Sequence, residues 1–203
     1  MVDVNPVILT SHAATLQKKP AVFPYTKTEV KKFTLARGVF SGEVNDPFCG
    51  EVPHEMVCGL VSDSANHGQV KENPFLFEHN HLNFIQVTVD GQDMTQAPLQ
   101  PRYGDEPEDG MYIDAYSSVC GINGFDESAP ITRKEYPEGF CFYRFVSEAI
   151  PGGNDDVIPL RRRGNMRVSV KFEKKLTQPT TLIIFAKFPA ALKIDKNRAV
   201  HEV

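Results

Sequence analysis

MRVSVKF, residues 166–172, alternates without interruption: Met166, Val168, Val170 and Phe172 point one way, while Arg167, Ser169 and Lys171 point the other. A period of two over seven residues predicts a strand with one dry face and one wet face. TTLIIFAKF, residues 180–188, differs in placing Leu182, Ile183, Ile184 and Phe185 in succession. Both of its faces are therefore expected to be covered, one by the core and the other by a loop, another strand or a partner subunit. Leu182 and Ile184 are accordingly the candidates for a subunit interface.

Working outward, further short apolar or alternating runs occupy 7–10, 29–35, 56–61, 82–89, 111–116, 140–146 and 192–194. Gly, Pro, Asn and Asp interrupt them, and no helix of ordinary length emerges. Strands this short must share one interior between two layers, because an open sheet leaves one apolar face wet. The predicted class is all-β: an antiparallel β-sandwich, jelly-roll-like, with long loops and little or no helix. Asp90-Gly91 after NFIQVTV suits a hairpin turn, since tight primed turns demand positive φ. Residues 1–20 are expected to be an N-terminal arm or edge strand packing on a neighbour, although 11–17 could form a short helix. Residues 21–203 are expected to be a single sandwich domain.

Composition agrees with one folded core. The chain has 203 residues, 41% of them hydrophobic, with fourteen Phe and six Tyr but no Trp. A domain of this size buries roughly 70% of the surface its unfolded chain exposes. The formal charge of −4 gives no general footprint for nucleic acid. That average hides a polarity: nine acids face one basic residue between Asp90 and Glu127, whereas eleven Lys or Arg face three acids from Arg161 to Val203. Surfaces of opposite sign would suit ordered contact between copies, unless the two segments lie side by side and cancel. No basic leader precedes a long apolar run and no window approaches a membrane span, so neither secretion by a signal peptide nor a span is expected. Cys49, Cys58, Cys120 and Cys141 form no CxxC pair, and apolar neighbours such as Phe140 and Phe142 favour buried free thiols. The chain carries no Asn-x-Ser/Thr acceptor, which argues against a glycosylated extracellular product.

Chemistry is sparse. His79 and His81 in EHNHL would share one face of an extended segment, at a spacing a metal could use, but no third ligand is apparent from spacing. Hydrogen-bonded or interface histidines are the simpler reading. No GxSxG, GxGxxG or P-loop pattern occurs. The two longest irregular stretches, 92–110 and 148–159, are the expected outward-facing loops. Recognition is assigned there to Arg102, Tyr103, Asp105, Glu106, Glu108 and Asp109, and to Asn154, Asp155 and Asp156. The acids of GDEPEDG are expected to be solvated, not catalytic; the same oxygens could bind calcium, although without EF-hand spacing. Arg161, Arg162 and Arg163 could hold phosphate, sulfate or an acidic partner, or could simply flank the strand that follows. No cofactor is called for.

NPFLFEHNHLNFIQVTVDG, APLQPRY, MYIDAYSSV, ITRKEYPEGFCFYRF and the stretch from RRRGNMRVSVKF to KIDKNRAV, taken together, resemble a largely uncharacterised family of virion structural or attachment-like proteins. That family is encoded by animal DNA viruses and virus-like mobile elements. The matching positions are Asn73, Pro74, Phe75, Asp90, Gly91, Pro98, Gly139, Gly164, Asn165, Arg167, Asp195 and Arg198, read as turns and internal anchors. The chain departs from the pattern at Gln100-Pro101-Arg102, where a Gln-Pro-Asp-like sequence is expected.

The resemblance implies a β-sandwich with a virion role and no catalytic residue. The expected partners are copies of the chain itself, a trimer by preference, together with other virion proteins or a host-surface receptor or glycan. The expected location is the virion, after synthesis in the host cytoplasm, with assembly in the nucleus as one route. An internal capsid-cement or assembly protein and a carbohydrate-binding sandwich module are the alternatives. Exposed Tyr103, Tyr112 or Tyr116 in a shallow groove would favour glycans; a broad apolar face at Leu182 or Ile184 would favour assembly.

Overall fold

The computed structural model describes residues 5–95, 97–104, 110–120, 131–147 and 161–202. The described residues fall into two compact units, one drawn from positions 28–188 and the other from positions up to 27 and from 189 onward.

The larger unit is the sandwich. Its strands are β1 (Ala21–Leu35, from residue 28), β2 (Ser41–Asn45), β3 (Glu51–Val52), β4 (Glu55–Ser62), β5 (Leu82–Val89), β6 (Gln92–Asp93), β7 (Phe142–Val146), β8 (Arg162–Arg163), β9 (Met166–Phe172) and β10 (Thr180–Ile194, up to residue 188). One sheet runs β1-β10-β4-β7, a second runs β2-β9-β5-β6, and β3 pairs with β8; all registered pairs are antiparallel.

Alternation decides which side chains enter the interior. In β9 Met166, Val168, Val170 and Phe172 are buried, and Val168 stands opposite both Val44 of β2 and Val87 of β5. From the other sheet Met56, Cys58 and Leu60 of β4, Leu182, Ile184 and Ala186 of β10, and Tyr143 and Phe145 of β7 complete one core. Leu182 and Ile184 are 1% and 0% exposed. Their assignment to a subunit interface is therefore corrected: both fill the chain's own interior.

The outer face of β4 is covered as well. Phe77 packs against Phe142 at 4.5 Å and lies over Gly59, where an added Cβ would come within 2.6 Å of the Phe77 ring. Beside it, β7 stands at the end of its sheet, the usual place for unwanted strand addition. Helix α3 (Ile113–Cys120) shields it, with Ser118 Oγ accepting the Arg144 backbone N–H at 3.2 Å. Residues 111–116 are thus not a strand. Tyr112, Ala115 and Val119 are buried at helical spacing, and Tyr112 and Tyr116 donate to the carbonyls of Arg133 and Ile131. A shorter helix, α2 (Asp63–Asn66), ties strands together: Asp63 Oδ1 accepts from Thr34 of β1 and Thr181 of β10.

The smaller unit contains α1 (Pro6–Lys18), residues 21–27 of β1, residues 189–194 of β10 and β11 (Val200–Glu202). The expected strand at 7–10 is a helical first turn instead. Asn5 Oδ1 accepts the Val7 N–H at 3.0 Å and Pro6 occupies the first helical position, so cap and proline outweigh the β-branched run that follows. The segment 192–194 continues β10 into a hairpin with β11. Asp195 shapes its turn by accepting the N–H groups of Asn197 and Ala199 at 2.8 and 2.9 Å, while Arg198 takes a left-handed φ of 61°.

Candidate functional site

A cleft lies in the sandwich unit where NPFLFEHNH meets the turn before β7. Asn73 starts it: its Oδ1 accepts the Phe75 N–H at 3.0 Å, a side-chain-made turn. Phe77 then donates to the Gly139 carbonyl at 2.8 Å and accepts from Cys141 at 3.1 Å, which stitches this segment to GFCF. Gly139 has φ 134°, and an added Cβ there would come within 2.5 Å of Leu76.

EHNHL is a tight turn, which corrects the expectation of an extended segment. The Leu82 N–H donates to the His79 carbonyl at 2.8 Å, with Asn80 at φ 47° and His81 at φ 51°. Two successive left-handed residues without glycine are costly and need support from around them. Part of that support is the His79 ring, whose Nδ1 accepts the His81 N–H at 3.0 Å. The same ring stacks on Tyr103 at 4.2 Å. Burial, with the nearby His81 and Lys174, lowers the His79 pKa to about 4, so the ring is neutral at physiological pH. Among the described residues the His81 Nδ1 is buried without a hydrogen-bond partner. The two rings stand edge to face at 4.9 Å, and among the described residues no three His, Cys, Asp or Glu side chains are grouped for a metal.

Leu76, Glu78, His79, His81, Glu138 and Thr177 help to line a cleft of 490 Å³. Phe75 and Phe140, the chain neighbours of lining residues Leu76 and Gly139, are 76% and 43% exposed. Behind the cleft the stack continues from Tyr103 to Tyr112 at 5.4 Å and from Tyr112 to Tyr136 at 5.7 Å. Tyr103 is only 7% exposed, and its hydroxyl is 2.8 Å from that of Tyr143. Its assignment to an outward recognition loop is therefore corrected: it joins the aromatic column. Sequence reasoning missed this site because its walls come from positions 76–81, 137–139 and 177–178, which no spacing rule connects.

Of the other expected recognition residues, Arg102 is exposed and forms an isolated bridge with Met111. Asp105, Glu106, Glu108, Asp109, Asn154, Asp155 and Asp156 lie outside the described residues. The arginine run does not converge on one point. Arg161 pairs with Glu51, Arg162 and Arg163 form β8 against β3, and Arg162 lines a 180 Å³ pocket that also holds Asp93. Gly164 packs where only a hydrogen fits, since a Cβ would lie 2.6 Å from Asp90 Oδ2. Among the thiols, Cys58 and Cys141 are buried and raised to about 12 by burial, whereas Cys49 is exposed, which corrects the expectation of burial for that residue.

No family model matches the chain. An uncharacterized Caenorhabditis elegans protein, F54H12.2, is 23% identical over 193 residues, covering 92% of this chain and 45% of that protein. Among solved structures, PBCV-1 VP54, fitted into a cryo-EM reconstruction of the virophage Sputnik, matches with a TM-score of 0.51 at 11% identity. That match covers 97% of this chain and 54% of VP54. The fold is a jelly-roll-like antiparallel β-sandwich. A chain of the PBCV-1 virus capsid is 12% identical with a TM-score of 0.49, over 89% of this chain and 51% of that one. The chain thus spans about half the length of the proteins it matches.

Proposed function

We propose that this chain is a non-enzymatic virion structural protein that works by assembling with copies of itself and with other virion proteins. The observation that carries the reading is the fold correspondence with VP54 over 97% of this chain, VP54 being a protein placed within a virus particle. The sequence resemblance to virion proteins of DNA viruses and mobile elements supports it independently. So does the use made of charged groups in the sandwich unit. Glu55 is held by Arg144 and Lys187, and Asp63 by two threonines, so these carboxylates cross-link strands.

Within that role the chain acts as a homo-oligomeric, preferably trimeric, surface or host-attachment domain, with selectivity in loop 92–110, apart from strand β6 and the buried Met94 and Tyr103, and in loop 148–159. The glycan-binding alternative lacks its expected platform, since Tyr103 and Tyr112 are buried and Tyr116 is partly covered. Light scattering on the purified chain tests assembly directly. A concentration-dependent oligomer is expected, and a strict monomer at high concentration overturns the reading. Deleting residues 105–109 tests the loops: cell or partner binding is expected to change with little loss of thermal stability. A large loss of stability refutes that assignment.

A further inference from the structure

We propose that the turn at 79–81 is an acid-operated latch: a proton taken up at His79 Nδ1 breaks the hydrogen bond that holds His81 in its left-handed conformation, and this wall of the cleft is released while the sandwich stays folded. At neutral pH Nδ1 accepts the His81 N–H at 3.0 Å, so the ring's own proton sits on Nε2. A second proton enters only at Nδ1, and it turns that atom into a donor facing another donor. What the bond restrains is strained, since Asn80 and His81 hold φ 47° and 51° without a glycine to relieve them. Once the bond is lost, both residues gain by returning to ordinary backbone conformations.

The surroundings confine the release. Before the turn the Glu78 N–H donates to the Leu60 carbonyl of β4 at 3.0 Å, and after it the fully buried Leu82 opens β5. The Glu173 N–H holds the His81 carbonyl at 2.8 Å, so the movement falls on the His79 and Asn80 side of the turn. Of the charged and titratable groups around the ring, Glu78 from its own turn and Glu138 from the turn before β7 line the same cleft and favour a positive ring, whereas His81 and Lys174 oppose one. Tyr103, stacked on the ring at 4.2 Å, stays neutral because burial raises its hydroxyl. Burial first, then His81 and Lys174, keep the closed form's value near 4 against an ordinary 6.5. A turn that opens and wets the ring restores the ordinary value, so the closed form is fully favoured above 6.5 and loses its advantage as pH falls toward 4. Acidification from pH 7 to pH 5 then raises the open fraction by on the order of 20-fold. The latch belongs to a single chain and needs no partner, so it stands or falls apart from the assembly reading.

Amide hydrogen exchange on the full chain, followed by NMR and corrected for the intrinsic pH dependence of exchange, reads the latch. The N–H groups of His81 and Leu82 close the turn on the His79 ring and carbonyl. Between pH 7 and pH 5 their protection is expected to fall about 20-fold, while Val168 and Val170 of β9 keep theirs. His79→Asn places an acceptor that does not titrate where Nδ1 stands, and its protection at the two positions is expected to stay level over that range. Level protection in the parent, or an equal fall in β9, overturns the proposal; so does a His79→Asn chain that still loses protection in acid. The imidazole nitrogen-15 shifts of the parent at pH 7 decide independently should the variant fail to fold. An unprotonated His79 Nδ1 is expected, and a proton on that atom overturns the latch.

Discussion

Asp90 and Asn165 bind each other twice: the Asp90 N–H donates to the Asn165 carbonyl at 2.9 Å, and the Asn165 N–H donates to Asp90 Oδ1 at 2.8 Å. VDG and GN, 75 positions apart, are therefore two halves of one joint that sets the start of β9 against the end of β5. Asp90 also holds a left-handed φ of 53°, which Asp and Asn tolerate better than most residues. Asp90→Asn is expected to retain most of the stability and Asp90→Ala to lose about 1–3 kcal/mol in urea unfolding. Gly164→Ala is expected to cost a similar ~1–3 kcal/mol, because its methyl group meets Asp90 Oδ2 and Val89. A neutral Gly164→Ala would show that the joint opens freely.

Glu55, 7% exposed, accepts from Arg144 Nε at 2.7 Å and from Lys187 Nζ at 2.9 Å. Burial alone would raise its pKa, but the hydrogen bonds from Lys187 and Arg144 outweigh burial and hold the carboxyl below its ordinary 4.5. Glu55→Gln leaves two partly buried cations without their counter-charge, at an expected cost of about 3 kcal/mol. Chemical denaturation at pH 7 checks it, and a change under 1 kcal/mol contradicts the cross-linking role.

Acid should weaken the fold in two stages. His79, with a folded pKa of about 4 against an ordinary 6.5, stays neutral in the fold while the unfolded chain takes up a proton. Its contribution is complete above pH 6.5 and declines as pH falls toward 4. Glu55 has a depressed folded pKa, so its contribution is present above 4.5 and is lost as pH falls through the folded value. His79→Gln is expected to flatten the first stage, read as melting temperature between pH 7 and 4.5, and NMR titration of His79 should give a midpoint near 4. A midpoint near 6.5 would contradict the stacked, buried position.

Tyr103 and Tyr143 share one buried hydrogen bond. Tyr103→Phe takes this partner from the buried Tyr143 hydroxyl and Tyr143→Phe takes it from Tyr103, so each is expected to cost about 1–3 kcal/mol. The double variant should cost clearly less than the two together. Additive losses would mean that the hydroxyls are satisfied separately.

How much of this was legible depended on whether the signal was local. The strand at 166–172 follows its alternation residue for residue, the strand at 82–89 does so only from Ile85 onward, after an irregularity between Leu82 and Phe84, and the turn at Asp90-Gly91 was visible from residue type alone. The N-terminal helix was signalled by Asn5-Pro6, but VILT reads as a strand when propensity is weighed without the cap. The segment 111–116 reads as a strand when taken by itself, because Val119, which completes the helical series from Tyr112 and Ala115, lies beyond it. The cleft and the aromatic column are different in kind. Gly59 needs Phe77, and Tyr103 needs Tyr143, and pairings across such separations become visible only once the sheets are assembled.

The chain has six tyrosines and no tryptophan. Tyr103, Tyr112, Tyr136 and Tyr143 stand in or against the column behind the cleft, with Tyr116 edge-on to Tyr136 at 5.7 Å. Intrinsic ultraviolet emission and near-ultraviolet dichroism therefore originate largely in one place. Without any label, those spectra act as a gauge of this wall of the sandwich, and they should shift whenever the stacking of His79 on Tyr103 is disturbed.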